Sequence, residues 1–388
     1  MSEDHLMYGA RLDAVRLQAT LAHLLDRPTP GPWRHPTPVC IWGLHGIGKT
    51  AIVEAFARAR GWAFAYAAPA QFEEMGDLHG LPVHQEGTTS FAPPDWVPTE
   101  PGPGILLLDD LNRADDRILR GFMQLLQRGE LVSWRLPEQW RIVCTANPEG
   151  GDYSVTPMDE AMVTRLLHLT LTFDIKAWAR WATDAGVDGR GISFVLSYPE
   201  AVTGHRTTPR SLTQFFEQIA GLDDLQAHQE LVYALAMSTL DEPTAASFMG
   251  FVADGLARLP EPLELLDAPT WAPMGERIAS LATDGEGARL DRLAAVCTRV
   301  YLTVTAADYT PGPRHRDNLV ALLTHPSLPN DLRAMLHRDL LAEGSAEVVE
   351  MVRLGRLFRA DRVNFKLASL AGGTEACGIT AEQRGWLL

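Results

Sequence analysis

The chain has 388 residues, enough for two or three domains that each bury a core of their own. Hydrophobic residues make up 46% and aromatics 8%, the balance of a globular protein rather than a disordered or fibrous one. A net charge of -15, spread along the sequence, argues against non-specific binding to nucleic acid, which needs clustered cations to neutralise phosphates.

In chain order, the opening stretch MSEDHLMYGARLD lacks the basic and apolar regions of a signal peptide. No apolar run approaches the ~18 residues of a membrane span. The expectation is a cytoplasmic protein without membrane insertion. Residues 10–26 place Leu12, Val15, Leu21, Leu24 and Leu25 near helical spacing, and the prolines of RPTPGPWRHPTP then break the helix. Short apolar runs follow at 38–42 (PVCIW), 63–68 (AFAYAA), 105–110 (ILLLDD), 141–147 (RIVCTAN) and 166–172 (LLHLTLT). Helical segments lie between several of them, including 49–59 and 116–127. Strands alternating with helices predict an α/β domain whose parallel sheet is covered on both faces. From residue 175 strand signals fade and amphipathic helices separated by Gly and Pro take over. The predicted organisation is an N-terminal helix and linker (1–37), an α/β domain (38–174), a small helical domain (175–265) and a helical C-terminal region (266–388).

The four cysteines, Cys40, Cys144, Cys297 and Cys377, have no C-x-x-C spacing and suggest neither a zinc site nor a disulfide framework. Cys40 and Cys144 fall in predicted strands and are expected in the core. His315, His325 and His337 are too widely spaced for a local metal motif and are expected at the surface.

Of 34 basic residues only Lys49, Lys176 and Lys366 are lysines. One of them lies in GLHGIGKT, Gly43 to Thr50, which fills the G-x-x-x-x-G-K-[ST] pattern between a predicted strand and helix. That context suits phosphate binding: glycines let backbone N–H groups curl around phosphate oxygens, and the following helix points its positive end at them. Gly43, Gly46, Ile47, Gly48, Lys49, Thr50 and Ala51 are therefore the expected nucleotide-binding residues. Lys49 would reach the β- and γ-phosphates, and Thr50 would give its hydroxyl to Mg²⁺. The metal's acidic partner is expected at the end of a neighbouring strand, where ILLLDD supplies Asp109.

With these motifs in hand, the chain resembles the AAA+ ATPases, and more closely their MoxR-like branch, to which gas-vesicle and dynein-related ATPases are also similar. The resemblance covers residues 10 to about 265. GDLHGLP at 76–82 and FAPPDWVP at 91–98 look like the helix-2 insertion of this branch, near 71–100, which in the family projects toward a central pore and here contains Trp96. LDDLNRAD looks like the Walker B stretch, and MQLLQRGEL and WRLPEQWRIVCTANP like the segments leading to sensor 1. The resemblance implies a P-loop NTPase fold with a five-stranded parallel sheet in the order 5-1-4-3-2, followed by an α-helical lid. It assigns Asn147 to sensor 1, Arg165 in MDEAMVTRLL to the arginine finger, and Arg210 in TTPRSL to sensor 2. Whether Arg210 contacts its own or a neighbouring subunit's nucleotide is left open, and Arg113 either faces a neighbour or is a surface arginine. Residues 266–388 resemble nothing familiar.

The resemblance further implies ATP and Mg²⁺ as substrate and cofactor, a homo-oligomeric ring of six subunits, and a chaperone-like role in remodelling a partner, often one with a von Willebrand factor A domain. Asp110 stands where the family usually has glutamate to orient the attacking water. It is one methylene shorter, and a displacement of ~1 Å costs on the order of 10²-fold, so modest turnover is expected. The alternatives are a slow-turnover, ATP-dependent binding switch acting through the C-terminal region, and a DNA-processing motor, which the acidic composition disfavours.

Overall fold

The computed structural model describes residues 7–27, 36–150, 154–202, 204–255, 259–283, 287–306 and 308–354. Lys366 and Cys377, with the end of the C-terminal region, lie outside these residues. The chain forms two compact units, dividing between residues 258 and 259.

The first unit is built on strands β1 (Ala10–Leu12), β2 (Val39–Trp42), β3 (Ala63–Ala67), β4 (Leu81–Gln85), β5 (Thr88–Ala92), β6 (Gly104–Leu108), β7 (Glu130–Leu131), β8 (Trp134–Arg135), β9 (Trp140–Ala146) and β10 (Leu167–Leu171). Six of them make one parallel sheet in the order β1-β10-β2-β9-β6-β3. The last five members reproduce the expected 5-1-4-3-2 order, and β1 adds a sixth strand at the edge. Residues 10–26 are thus not one helix. Asp13 accepts a hydrogen bond from the Arg16 N–H at 2.8 Å and caps a helix that starts only at Ala14, leaving 10–12 free to extend the sheet beside β10.

The central strands read as continuous apolar runs because both faces are covered. With a period of two, Cys40, Trp42, Leu106, Leu108, Ile142 and Cys144 face one way. They pack on Ile118, Phe122 and Leu125 of the helix Asp116–Arg128. Val39, Ile41, Ile105, Leu107 and Val143 face the other way, onto Leu17 and Leu21 of Ala14–Leu25 and Val53 and Phe56 of Lys49–Ala59. Cys40 and Cys144 are register partners in this core, both fully buried.

The expected insertion is a short helix, Met75–His79, followed by the antiparallel β4–β5 hairpin. Trp96 does not project from it. Its indole donates to the Asp77 carbonyl at 2.9 Å and its ring lies edge-on to Trp134 at 5.6 Å, beside Phe72 and Phe122. An indole with both its apolar face and its N–H satisfied there anchors the insertion to the core.

Helices Ile175–Asp184, Gly189–Ser197, Pro209–Ile219, Gln229–Thr239 and Glu242–Ala253 complete the first unit. Their core is aromatic: Phe248 stands edge-on to Phe215 at 4.8 Å and to Phe194 at 5.0 Å, with Phe216 and Phe251 alongside. In the second unit, helices run from Pro262–Leu266 to Ala346–Leu354. His315 is buried there, not at the surface. Its ring bridges the Tyr309 hydroxyl (2.6 Å) and the Asp267 carboxylate (2.8 Å) at the start of the helix His315–Leu323, two polar partners that make burial of an imidazole tolerable. Among the described residues no helix is long and apolar enough to cross a membrane.

Gly191 is the point where the helix Gly189–Ser197 meets the aromatic core most closely: a Cβ there would lie 2.4 Å from the Phe216 ring. Gly191→Ala is expected to destabilise the first unit by ~1–3 kcal/mol through overpacking, read as a lower denaturant midpoint. An unchanged midpoint would show that Phe216 yields freely.

Candidate functional site

Strands β2, β9 and β6 are adjacent and parallel, so the residues that follow them emerge at one edge of the sheet. Gly43–Thr50 follows β2, Asp109 and Asp110 follow β6, and Asn147 follows β9. The sheet order therefore brings together three stretches separated by up to a hundred positions.

The glycine loop turns through positive φ at Gly46 (71°) and Gly48 (96°), conformations that residues with a Cβ avoid. Gly48 ends the turn and the helix Lys49–Ala59 begins, aiming its N-terminal N–H groups at the loop's concavity. Ile47 packs against the second core and seats the loop, while Thr50 is partly exposed and Ala51 lies on the exposed side of the first helical turn. Lys49 is only 6% exposed. Its ammonium donates to the carbonyls of Gly43 (2.8 Å) and Leu44 (3.0 Å) and to Asn147 Oδ1 (3.2 Å). Burial pushes its pKa down to about 8, against the opposing pull of Asp110 and Asp109.

The two aspartates have separate surroundings. Asp109 Oδ1 accepts from Thr50 Oγ1 at 2.8 Å and from Thr145 Oγ1 at 2.6 Å, and its Oδ2 accepts from the Tyr66 hydroxyl at 3.2 Å. Asp110 adopts the left-handed conformation (φ 51°, ψ 44°), which aspartate tolerates better than longer side chains do. Its N–H donates to Thr145 Oγ1 at 2.8 Å. Asp110 Oδ1 accepts from Asn147 Nδ2 at 2.8 Å, and Oδ2 lies 3.3 Å from Arg113 Nε. At Thr50 and Asp109 a hydroxyl and a carboxylate oxygen face each other, an all-oxygen pair of the kind that suits Mg²⁺.

Asn147 is fully buried and is held by a second buried amide. Asn112 Nδ2 donates to the Asn147 carbonyl at 2.8 Å, and Asn112 Oδ1 accepts from the Asn147 N–H at 3.0 Å. The Asn of LNRA is thus a clamp on the backbone of Asn147, freeing that residue's side chain to reach Lys49 and Asp110. Beyond it, Glu149 is buried and accepts from the Met158 N–H at 3.0 Å, tying down the next segment.

Arg210 lies at the loop of its own chain: its N–H donates to the Gly46 carbonyl at 3.1 Å, and its charge is close enough to oppose protonation of Lys49. Thr208 caps the helix Pro209–Ile219 from the same place, and a Cβ on Gly46 would sit 2.6 Å from its hydroxyl. Gly46 is therefore needed twice, for its φ and for the approach of this helix. Arg165 stands apart. Its guanidinium reaches Gln127 Oε1 at 3.4 Å and the Ala161 carbonyl, neither of which belongs to the aspartate cluster. The structure thus brings Lys49, Thr50, Asp109, Asp110, Asn147 and Arg210 together and leaves Arg165 outside.

The sequence reading missed Thr145, Asn112 and Tyr66. None of them belongs to the loop pattern or the acidic pair: sheet register brings Thr145 and Tyr66 to the aspartates, and Asn112, just after Asp110, reaches across to Asn147. A polar residue two positions before Asn147, among the apolar residues Ile142, Val143, Cys144 and Ala146, was the available signal for Thr145.

A family model for the AAA domain (dynein-related subfamily) matches residues 38–166. The chain is 27% identical over 173 residues to Chaperone MoxR1 of Mycobacterium tuberculosis, covering 43% of this chain and 44% of that one. It is 24% identical over 143 residues to midasin of Giardia intestinalis, 35% of this chain and 3% of that one. The chain therefore spans less than half the length of either relative. Among solved structures, the RuvB Holliday junction branch migration motor of Thermotoga maritima is 13% identical, with coverage of 69% and 75% and a TM-score of 0.35, a loose likeness.

Replacing Asn112 by Ala would leave the N–H and carbonyl of the fully buried Asn147 unpaired. The expected cost is ~2–4 kcal/mol of stability, measurable by urea unfolding, with Asn112→Asp recovering at most the half that needs an acceptor.

Proposed function

Residues 38–166 form an AAA+ ATPase domain of the dynein-related, MoxR-like branch, and from this we propose that the chain is a Mg²⁺-dependent ATPase that works as a ring and remodels a partner protein. The observation that carries the proposal is the convergence, within hydrogen-bond distance, of Lys49, Asn147 and Asp110 on one side and Thr50 with Asp109 on the other.

In this reading the loop N–H groups and Lys49 hold the polyphosphate of ATP, releasing the Gly43 and Leu44 carbonyls from the ammonium. Thr50 and Asp109 would hold Mg²⁺, which would supply charge neutralisation for the phosphoryl oxygens. Asp110 accepts a proton from, and orients, the attacking water, and the Asn147 amide keeps that carboxylate beside the phosphate-binding lysine. Arg210 senses nucleotide from its own chain's lid helix. Arg165, outside the cluster, would serve a neighbouring subunit, making hydrolysis depend on assembly. The role as a remodeller is supported by the likeness to a protein named as a chaperone. A partner with a von Willebrand factor A domain is the first class to test.

Steady-state hydrolysis with light scattering tests the whole reading. Asp110→Asn is expected to abolish turnover while ATP-dependent assembly persists. Arg165→Ala is expected to lower turnover by ~10³-fold or more without loss of nucleotide binding. A chain that stays monomeric with ATP and hydrolyses it at full rate as Arg165→Ala would sink the shared-site reading.

Lys49 gives a second check. With its pKa near 8, a substantial fraction of the ammonium is neutral at about pH 8, and an arriving polyphosphate raises that pKa. ATP binding should therefore take up protons near pH 8 and almost none near pH 6, where the lysine is already charged. Calorimetry in buffers of different ionisation heat reads this directly. Uptake that survives Lys49→Arg, which stays charged at both pH values, would assign it to another group.

A further inference from the structure

We infer that Thr145 is the positioning residue for both aspartates, setting the Mg²⁺-facing carboxylate of Asp109 and the backbone of Asp110 from one buried hydroxyl. This inference rests on the ATPase reading.

Thr145 lies on β9, flanked by β2 and β6, and is fully buried. Its hydroxyl meets two groups from the end of β6: the Asp110 N–H at 2.8 Å and Asp109 Oδ1 at 2.6 Å. The proton directions are fixed by chemistry. An amide N–H only donates, so the hydroxyl must accept from Asp110, and its single proton must go to the carboxylate. Because threonine is β-branched, its χ1 is stiff and the hydroxyl is held by the strand itself.

The consequences differ for the two acids. On Asp109, Thr145 occupies one direction of Oδ1 and leaves the other toward Thr50 Oγ1 at 2.8 Å. The carboxylate's remaining partner, Tyr66, is 48% exposed and reaches only Oδ2, at 3.2 Å, so it cannot fix the rotation alone. On Asp110, the bond to Thr145 pins the N–H of a residue whose left-handed φ of 51° is otherwise a sparsely populated state. That backbone setting directs the side chain to Asn147 and Arg113. A short aspartate in this conformation is delivered by its backbone, which is how position 110 works without the extra methylene. A hydroxyl that merely satisfied a backbone amide would not also face the metal carboxylate.

The test uses the full chain and compares Thr145→Val, which keeps the shape, with Thr145→Ser, which keeps the hydroxyl. ATPγS affinity is measured by calorimetry in Mg²⁺ and in EDTA, alongside steady-state hydrolysis and melting temperature. For Thr145→Val the expected result is EDTA affinity within roughly 3-fold of wild type, a Mg²⁺-dependent gain in affinity reduced by ~10-fold or more, KM for ATP in Mg²⁺ raised by about the same factor, and kcat lower by on the order of 10²-fold. Thr145→Ser should recover both the Mg²⁺ response and the rate. Should Thr145→Val fail to fold, Thr145→Ala at lower temperature reads the same quantities. Equal losses in EDTA and in Mg²⁺, or a Thr145→Ser variant as impaired as Thr145→Val, would reduce Thr145 to a structural role and overturn the inference. So would a Thr145→Val variant with a wild-type Mg²⁺ response, or a wild-type affinity indifferent to Mg²⁺. If the wild type does not bind ATPγS at all, the ATPase reading itself falls and the inference falls with it.

Discussion

A buried ammonium is the constraint around which the first unit is arranged. Lys49 has almost no contact with solvent, and an unpaired charge in that position would be prohibitively costly. Its three donors are met by two carbonyls of the glycine loop and by the Asn147 amide, with the charges of Asp109 and Asp110 close by. Every one of those partners has in turn to be held still. The loop is held by its glycines and by Ile47, Asn147 by the Asn112 clamp, and the aspartates by Thr145. Removing a link far from the lysine therefore changes how well the lysine is satisfied.

The sheet supplies the precision for this arrangement. Because β2, β9 and β6 are neighbours, parallel and buried on both faces, their ends cannot shift without disturbing two packed cores. The loop, Asn147 and the acidic pair inherit that rigidity. The helix Pro209–Ile219 also touches the loop, through the Arg210 N–H and the Thr208 side chain. Among the described residues that approach includes a backbone hydrogen bond from Arg210 to Gly46 and the closeness of the Thr208 side chain to Gly46.

The second unit has its own polar anchor, in which His315 joins Tyr309 to Asp267 while Asn318 donates to the carbonyls of Leu266 and Ala268. These bonds fasten the helix His315–Leu323 to the end of Pro262–Leu266. Burial of Tyr309, with the nearby Asp267 charge, pushes its hydroxyl pKa up to about 12, so it remains a donor across the physiological range.

The sequence by itself determined whatever depends on neighbours along the chain. The glycine loop could be read because positive φ, a following helix and a lysine must occur together within eight residues. The central strands could be read because burial on both faces leaves unbroken apolar runs. The strand Ala10–Leu12 was read as helix because its fate rests on an edge of β10 that lies far away in sequence. The surface expected for His315, and the pore-directed insertion expected to carry Trp96, give way for a similar reason: each residue has its partners on other elements. Tertiary structure alone decided that Asp110 adopts a left-handed turn, that Asn112 clamps Asn147, and that one threonine hydroxyl serves two acids. Hydrogen bonds of that kind are fixed by the register of adjacent strands, and register is set by the packing of whole faces, which no local stretch of sequence encodes.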